Sequence, residues 1–208
     1  MKKVLIFDYD GVIADSFAIV FSILKELAAK IDYKGSVETE DLRELFDKNP
    51  FRMIREKGLS LFKVMRLAKE MKTEIMTAQS KIKFFPEIPK IIERLSRKNE
   101  LYIVTSNSAE TVRNRISEYS LDSYFKEIYG VETSKSKVKK IKKITSQYPS
   151  GTVFYYIGDT NGDMIEGKKA GTITVGAAWG YHDETRLKRE NPDFILTKPN
   201  QLLGLLEN

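Results

Sequence analysis

Hydrophobic positions along the chain fall into two patterns that alternate. Short, nearly unbroken apolar runs occur at Val4–Phe7, 101–105, 152–157 and 172–175, with briefer ones at 127–131 and 193–196. Runs of this length, bounded by polar or Gly-containing turns, suit strands buried on both faces, as in a parallel sheet. Between them, apolar residues recur at helical spacing over 88–97, 108–119, 137–147, 161–170 and 198–206. Strands alternating with helices predict βαβ units: an α/β fold with a parallel sheet core sandwiched by helices.

The segment 16–82 breaks this alternation. Asp15 or Ser16 is suited to cap a helix running through Ile31, and further helices are predicted over 38–47, 51–57 and from Leu61 to about Lys83. Gly35-Ser36, Asn49-Pro50 and Gly58 separate them. No strand pattern is visible in this segment. The expected organisation is therefore an α/β core made of 1–15 and 83–208, with an all-helical domain, 16–82, inserted after the first strand. Residues 14–16 and 82–86 are the expected hinges.

Composition narrows the class without choosing a function. At 208 residues with 41% hydrophobic side chains, the chain can bury a real core. The formal charge of +6 is spread along the sequence and is densest over Lys135–Lys143, where it fits the polar face of one amphipathic helix. A nucleic-acid partner is therefore not expected. No apolar stretch is long enough to cross a bilayer, so no membrane association is expected. The run after Lys2-Lys3 is too short, and too soon interrupted by carboxylates, for a signal peptide. With no cysteine there is neither a disulfide nor a thiolate metal site, and a cytoplasmic protein is expected.

Chemistry concentrates where predicted strands end. Asp8 and Asp10 follow Val4–Phe7, and two carboxylates crowded into one crevice repel unless a cation or a shared proton compensates; a Mg²⁺ site beside a nucleophile satisfies both. Thr105-Ser-Asn-Ser follows the run at 101, offering hydroxyls and N–H groups at a strand-to-helix turn, suited to phosphate. Lys135 and Lys137 open a basic helix. Gly158-Asp-Thr-Asn-Gly-Asp places Asp159 and Asp163 at a loop-to-helix start, where carboxylates suit a hard divalent cation. Each motif taken singly also reads as a turn or a helix cap. Their order at successive strand ends assembles one site.

With these motifs in place, the sequence resembles the haloacid dehalogenase superfamily of phosphohydrolases. The resemblance is carried by Asp-Tyr-Asp-Gly-Val at 8–12, Ile-Val-Thr-Ser-Asn at 103–107, the lysine near 137 and Gly-Asp-Thr-Asn-Gly-Asp at 158–163. Asp15-Ser16 and the stretch 170–180 look like the phosphoglycolate phosphatase and β-phosphoglucomutase branch. The resemblance implies a Rossmann-like core with an α-helical cap. It implies Asp8 as the nucleophile, Asp10 as general acid/base, and Mg²⁺ held by the Asp8 carboxylate, the Asp10 carbonyl and Asp159 with support from Asp163. Thr105, Ser106, Asn107 and a lysine would bind the phosphoryl group. A carboxylate at position 10 favours phosphoryl chemistry over dehalogenation. Ile141 and Ile144 lie one and two turns beyond Lys137, which favours it over Lys135 as the phosphate lysine. The remaining lysines of that helix are expected on its solvated face. Departures from the family pattern at Pro86-Glu87 and around the lysine concern backbone shape.

The implied activity is a Mg²⁺-dependent phosphatase acting on a small phosphorylated metabolite, phosphoglycolate-like or a sugar phosphate, as a monomer or homodimer. The alternative is a phosphomutase using the same residues. A receiver-like switch phosphorylated on Asp is disfavoured by Asp10 and the cap. Arg43, Arg52 and Arg55 are candidate contacts of the cap to an anionic substrate. His182 is expected in a loop, and Trp179 packed near a strand end.

Overall fold

The computed structural model describes residues 2–30, 37–47 and 60–207. Along the chain come β1 (Lys3–Phe7), β2 (Ala14–Asp15), α1 (Phe17–Lys30), α2 (Thr39–Asp47), α3 (Leu61–Ala78), β3 (Lys83–Phe84), α4 (Ile88–Ser96), β4 (Glu100–Val104), α5 (Ala109–Ser117), β5 (Phe125–Tyr129), α6 (Lys137–Thr145), β6 (Val153–Gly158), α7 (Asn161–Ala170), β7 (Ile173–Ala177), α8 (Glu184–Leu187), β8 (Phe194–Leu196) and α9 (Gln201–Leu206).

Six strands form one parallel sheet in the order β5-β4-β1-β6-β7-β8. Val4, Leu5, Ile6 and Phe7 are fully buried, which is why the unbroken apolar run takes the centre. From β1 the chain steps outward through β4 and β5, then returns to the other side of β1 and steps outward through β6, β7 and β8. Such a reversal opens a crevice at the carboxyl ends of the strands beside it. Phe7 is level with Ile103 on one side and Ile157 on the other. The residues that follow, Asp8, Thr105 and Asp159, therefore emerge along the same rim.

Strand alternation decides which helix faces that rim. Val4 and Ile6 share a face with Tyr102, Val104, Tyr129 and Tyr156, and these pack with Ile141 and Ile144 of α6. Burying each isoleucine contributes about 1.5–3 kcal/mol relative to exposure. This holds α6 on the Val4–Ile6 face, the side to which Asp8 also turns. Local signals start the helices at the strand ends. Ser108 caps α5 and Ser136 caps α6 through their hydroxyls, and Thr160 with Asp163 forms a capping box on α7.

Two compact units are distinguished, Met1–Asp15 with Lys83–Asn208, and Ser16–Ile82. The second is helical over its described residues. There α1 buries Val20, Ile23 and Leu27 at helical spacing and packs against α3. Within the first unit, β2 and β3 pair antiparallel, Ala14 with Phe84 and Asp15 with Lys83. Two-residue strands are too short to leave a period in the sequence, so this ribbon, placed where hinges are expected, was not predicted.

Other boundaries also differ from expectation. β5 lies at Phe125–Tyr129 rather than 127–131, because its pairing with β4 slips between Leu101 and Tyr102. Val131 already belongs to the following loop, where its N–H donates to the Asn107 carbonyl (2.9 Å). α9 begins at Gln201 rather than 198, because the Gln201 side-chain oxygen accepts the N–H groups of Thr197 and Lys198 and holds them in a turn. The helix expected over 51–57 lies outside the described residues. No helix among the described residues is long and apolar enough to cross a membrane.

Candidate active site

Asp8 is the first residue beyond β1. Its N–H continues the parallel ladder to the Ile157 carbonyl (2.8 Å). One carboxylate oxygen accepts the Tyr9 N–H (2.8 Å) and the other accepts Lys137 Nζ (2.7 Å). Lys137 also donates to Asp163 Oδ1 (2.6 Å), which takes the Tyr156 hydroxyl as well (2.8 Å). Asp163 Oδ2 accepts the Thr160 hydroxyl (2.6 Å) and backbone N–H (3.1 Å). Asp159 Oδ2 accepts the Tyr181 N–H (2.8 Å), and its carbonyl accepts the His182 N–H (3.2 Å). Asp8, Asp159 and Asp163 each offer a carboxylate oxygen, all within 4.8 Å of one another. All three residues are buried.

Their protonation follows from that crowding. Burial pushes Asp8 up to about 7, with Asp163 adding to the rise and Lys137 opposing it. Burial, Asp163 and Asp8 hold Asp159 well above the ordinary carboxylate range. Burial would raise Asp163 too, but Lys137, Thr160 and Tyr156 outweigh it and its carboxyl stays low. For Lys137 the order reverses: burial favours the neutral amine, and Asp163 with Asp8 keep it an ammonium. One ammonium thus serves two of three buried acids. A hard divalent cation suits an all-oxygen carboxylate set of this kind, and it supplies the charge the cluster lacks.

The backbone is shaped to let these acids approach. Gly11 has φ +75°, and a Cβ there would fall 1.8 Å from Asp159 Oδ2. A Cβ on Gly180 would lie 2.4 Å from the same oxygen and from the Gly11 carbonyl. Trp179 pins this loop by donating its indole N–H to the Val12 carbonyl (3.2 Å).

The structure places the remaining predicted residues as follows. The Asp10 carboxylate lies outside the cluster of three and accepts the Asn107 side-chain N–H₂ (2.7 Å). Thr105 is fully buried, and its Oγ1 accepts the Asn107 N–H (3.0 Å). Ser106 is exposed at the turn, and so is Lys135, whereas Lys137 reaches into the acid cluster. In the helical unit, Arg43 stands over the Phe17 ring (5.1 Å) and 3.9 Å from Glu40. Arg52 and Arg55 lie outside the described residues.

Several residues carry more than the sequence reading assigned. Lys140, expected on a solvated face, is buried and donates to the Thr105 carbonyl (2.5 Å). The signal was available: 137, 140, 141 and 144 form one helical stripe. His182 does lie in a loop, but it is fully buried, and its Nδ1 accepts the Asn161 N–H at the start of α7 (3.1 Å). Tyr156 is an interior strand residue whose hydroxyl reaches Asp163; only the pairing of β6 with β1 reveals that.

Residues 5–177 match the sequence profile of the haloacid dehalogenase-like hydrolases. The chain is 31% identical to a phosphoglycolate phosphatase of Aquifex aeolicus, over 99% of this chain and 97% of that one. It is 25% identical to a phosphoglycolate phosphatase of Synechococcus elongatus, over 97% and 95% of the two chains. Among solved structures, a haloacid dehalogenase-like family hydrolase from Streptococcus pneumoniae superposes with TM-score 0.82 at 22% identity, covering 99% of this chain and 98% of that one.

Proposed function

Since this chain belongs to the haloacid dehalogenase-like hydrolase family, we propose that it is a Mg²⁺-dependent phosphatase of a small phosphorylated metabolite, working through an aspartyl-phosphate on Asp8. The observation that carries this reading is the meeting of Asp8, Asp159 and Asp163 within 4.8 Å, with the Lys137 ammonium bridging Asp8 and Asp163. Asp8, Asp159 and Asp163, with the Asp10 carbonyl, would hold Mg²⁺. The ion supplies positive charge that offsets the negative charge of the reacting phosphoryl oxygens.

The chain's own groups divide the work. An Asp8 carboxylate oxygen attacks phosphorus while the ester P–O bond breaks, and Asp10 delivers a proton to the departing oxygen. Asp10, now a carboxylate, takes a proton from water, which attacks the acyl-phosphate at phosphorus; inorganic phosphate leaves and Asp8 is restored. The Asn107 amide, bonded to Asp10, orients it for both transfers. Lys137, the Thr105 hydroxyl and the turn at Ser106–Asn107 bind the phosphoryl oxygens. The helical unit Ser16–Ile82 acts as the cap that confers specificity. The full-length relatives make phosphoglycolate the first substrate to try, with sugar phosphates next. A cytoplasmic monomer or homodimer completes the reading.

The test is a panel of phosphate esters with Mg²⁺, scored by release of inorganic phosphate, beside Asp8→Asn. Release by the wild type and its loss in a folded Asp8→Asn protein are expected. Transfer of phosphate between substrate positions without release would instead indicate a mutase, and substantial turnover by the variant would remove Asp8 as nucleophile.

A further inference from the structure

Lys140 is a buried charged group on α6 that this reaction does not use. It is 1% exposed, and its ammonium has one hydrogen-bond acceptor among the described residues, the Thr105 carbonyl at 2.5 Å. It forms no ion pair among them. A buried ammonium without a carboxylate is costly. Burial and Lys137 both depress its pKa, while Asp8, Glu166 and Glu132 act through space to keep it charged. Such a group belongs to the electrostatics of the site rather than to the packing of α6, where an apolar side chain would cost less.

What it holds is informative. The Thr105 N–H donates to the Tyr129 carbonyl (3.0 Å) and the Thr105 C=O accepts from Lys140, so the backbone is fixed on both sides of this residue. In a trans peptide the C=O of one residue and the N–H of the next point in opposite directions. Drawing the Thr105 oxygen toward α6 therefore turns the Ser106 N–H away from α6. Ser106 is exposed, and its N–H has no hydrogen-bond partner among the described residues.

We propose that Lys140 is a positioning residue for oxyanion binding: it aims the Ser106 N–H outward beside the Thr105 hydroxyl and adds a second positive charge one helical turn beyond Lys137. The proposal rests on the phosphatase reading. It predicts different effects on two ligands, because removing a buried positive charge weakens an anion and does not weaken a cation. A residue needed only for packing would weaken both.

The test compares wild type with Lys140→Met, which keeps the length and loses the charge, and Lys140→Gln, which keeps a donor for the carbonyl. Inorganic phosphate, titrated as a competitive inhibitor, and Mg²⁺, titrated by thermal shift without substrate, are the probes. Lys140→Met is expected to raise the phosphate inhibition constant and KM about tenfold, the scale of one charged hydrogen bond, with the Mg²⁺ midpoint unchanged or lower. Lys140→Gln should recover part of the phosphate affinity. Unchanged phosphate inhibition in Lys140→Met, or parallel loss of phosphate and Mg²⁺ binding, overturns the proposal. Should the Met variant not fold, the Gln variant carries the same comparison: the proposal predicts weakened phosphate inhibition with Mg²⁺ binding retained, and either of the two overturning patterns in that variant rejects it. A wild type that neither hydrolyses esters nor is inhibited by phosphate would instead reject the phosphatase reading itself.

Discussion

The buried acid cluster makes the stability of the metal-free protein run against the usual pH trend. Asp8 is raised from 3.8 to about 7. Because its folded pKa lies above its unfolded one, its contribution is fully favourable below about 3.8 and is lost as pH rises through about 7. Asp159, raised well above the ordinary range, acts in the same direction. Asp163 is lowered, so its contribution is lost only as pH falls below 3.8, outside this window. Each pKa unit corresponds to about 1.4 kcal/mol, so the charged Asp8 withdraws on the order of 4 kcal/mol from the metal-free fold at pH 8. Asp8→Asn removes that charge, so a net gain in stability of the metal-free protein is expected at pH 8. For a chain of this length it amounts to several degrees in Tm. The assay is thermal denaturation at pH 5, 6, 7 and 8, with chelator or with Mg²⁺, for wild type and Asp8→Asn. Metal-free wild type should lose stability from pH 5 to 8, the variant should lose less, and Mg²⁺ should stabilise wild type most at pH 8. A metal-free wild-type Tm that stays flat or rises over this range, or an Asp8→Asn protein less stable than wild type at pH 8, would refute the reasoning.

Substitutions at three further positions probe separate parts of the site. Gly11→Ala places a methyl group 1.8 Å from Asp159 Oδ2 at a φ of +75°; left-handed backbone alone costs about 1–2 kcal/mol, and a chemical-denaturation curve together with an abolished Mg²⁺ response should register both effects. Asp10→Asn should lower kcat by about 10²–10⁴ while the Mg²⁺ midpoint in a thermal-shift titration stays close to wild type, because its carboxylate lies outside the cluster of three. His182→Ala leaves the buried Asn161 N–H without its acceptor and should destabilise the fold by about 1–3 kcal/mol; His182→Asn, which can place an oxygen where Nδ1 stood, should recover much of it, as equilibrium unfolding would report.

The amino-acid sequence by itself determined the order of strands and helices, the helical insertion after β1, and the residue types at the strand ends, because each rests on a local period or a local turn. Asp8, Asp159 and the Thr105–Asn107 turn were legible for the same reason: they sit directly after runs that can only be interior strands. Tertiary structure decided what depends on which strand lies beside which. The placement of β1 between β4 and β6 brought residues 8, 105 and 159 to one rim, and the packing of α6 on the Val4–Ile6 face sent Lys137 rather than Lys135 to Asp8. The same packing buried Lys140 against the Thr105 carbonyl, and the loop after β7 folded His182 beneath the start of α7. The stripe 137, 140, 141 and 144 put Lys140 on the buried side of α6, but a lone histidine in sequence gives no such sign, since its burial is set by a partner more than twenty residues away that arrives only when the sheet closes around β1.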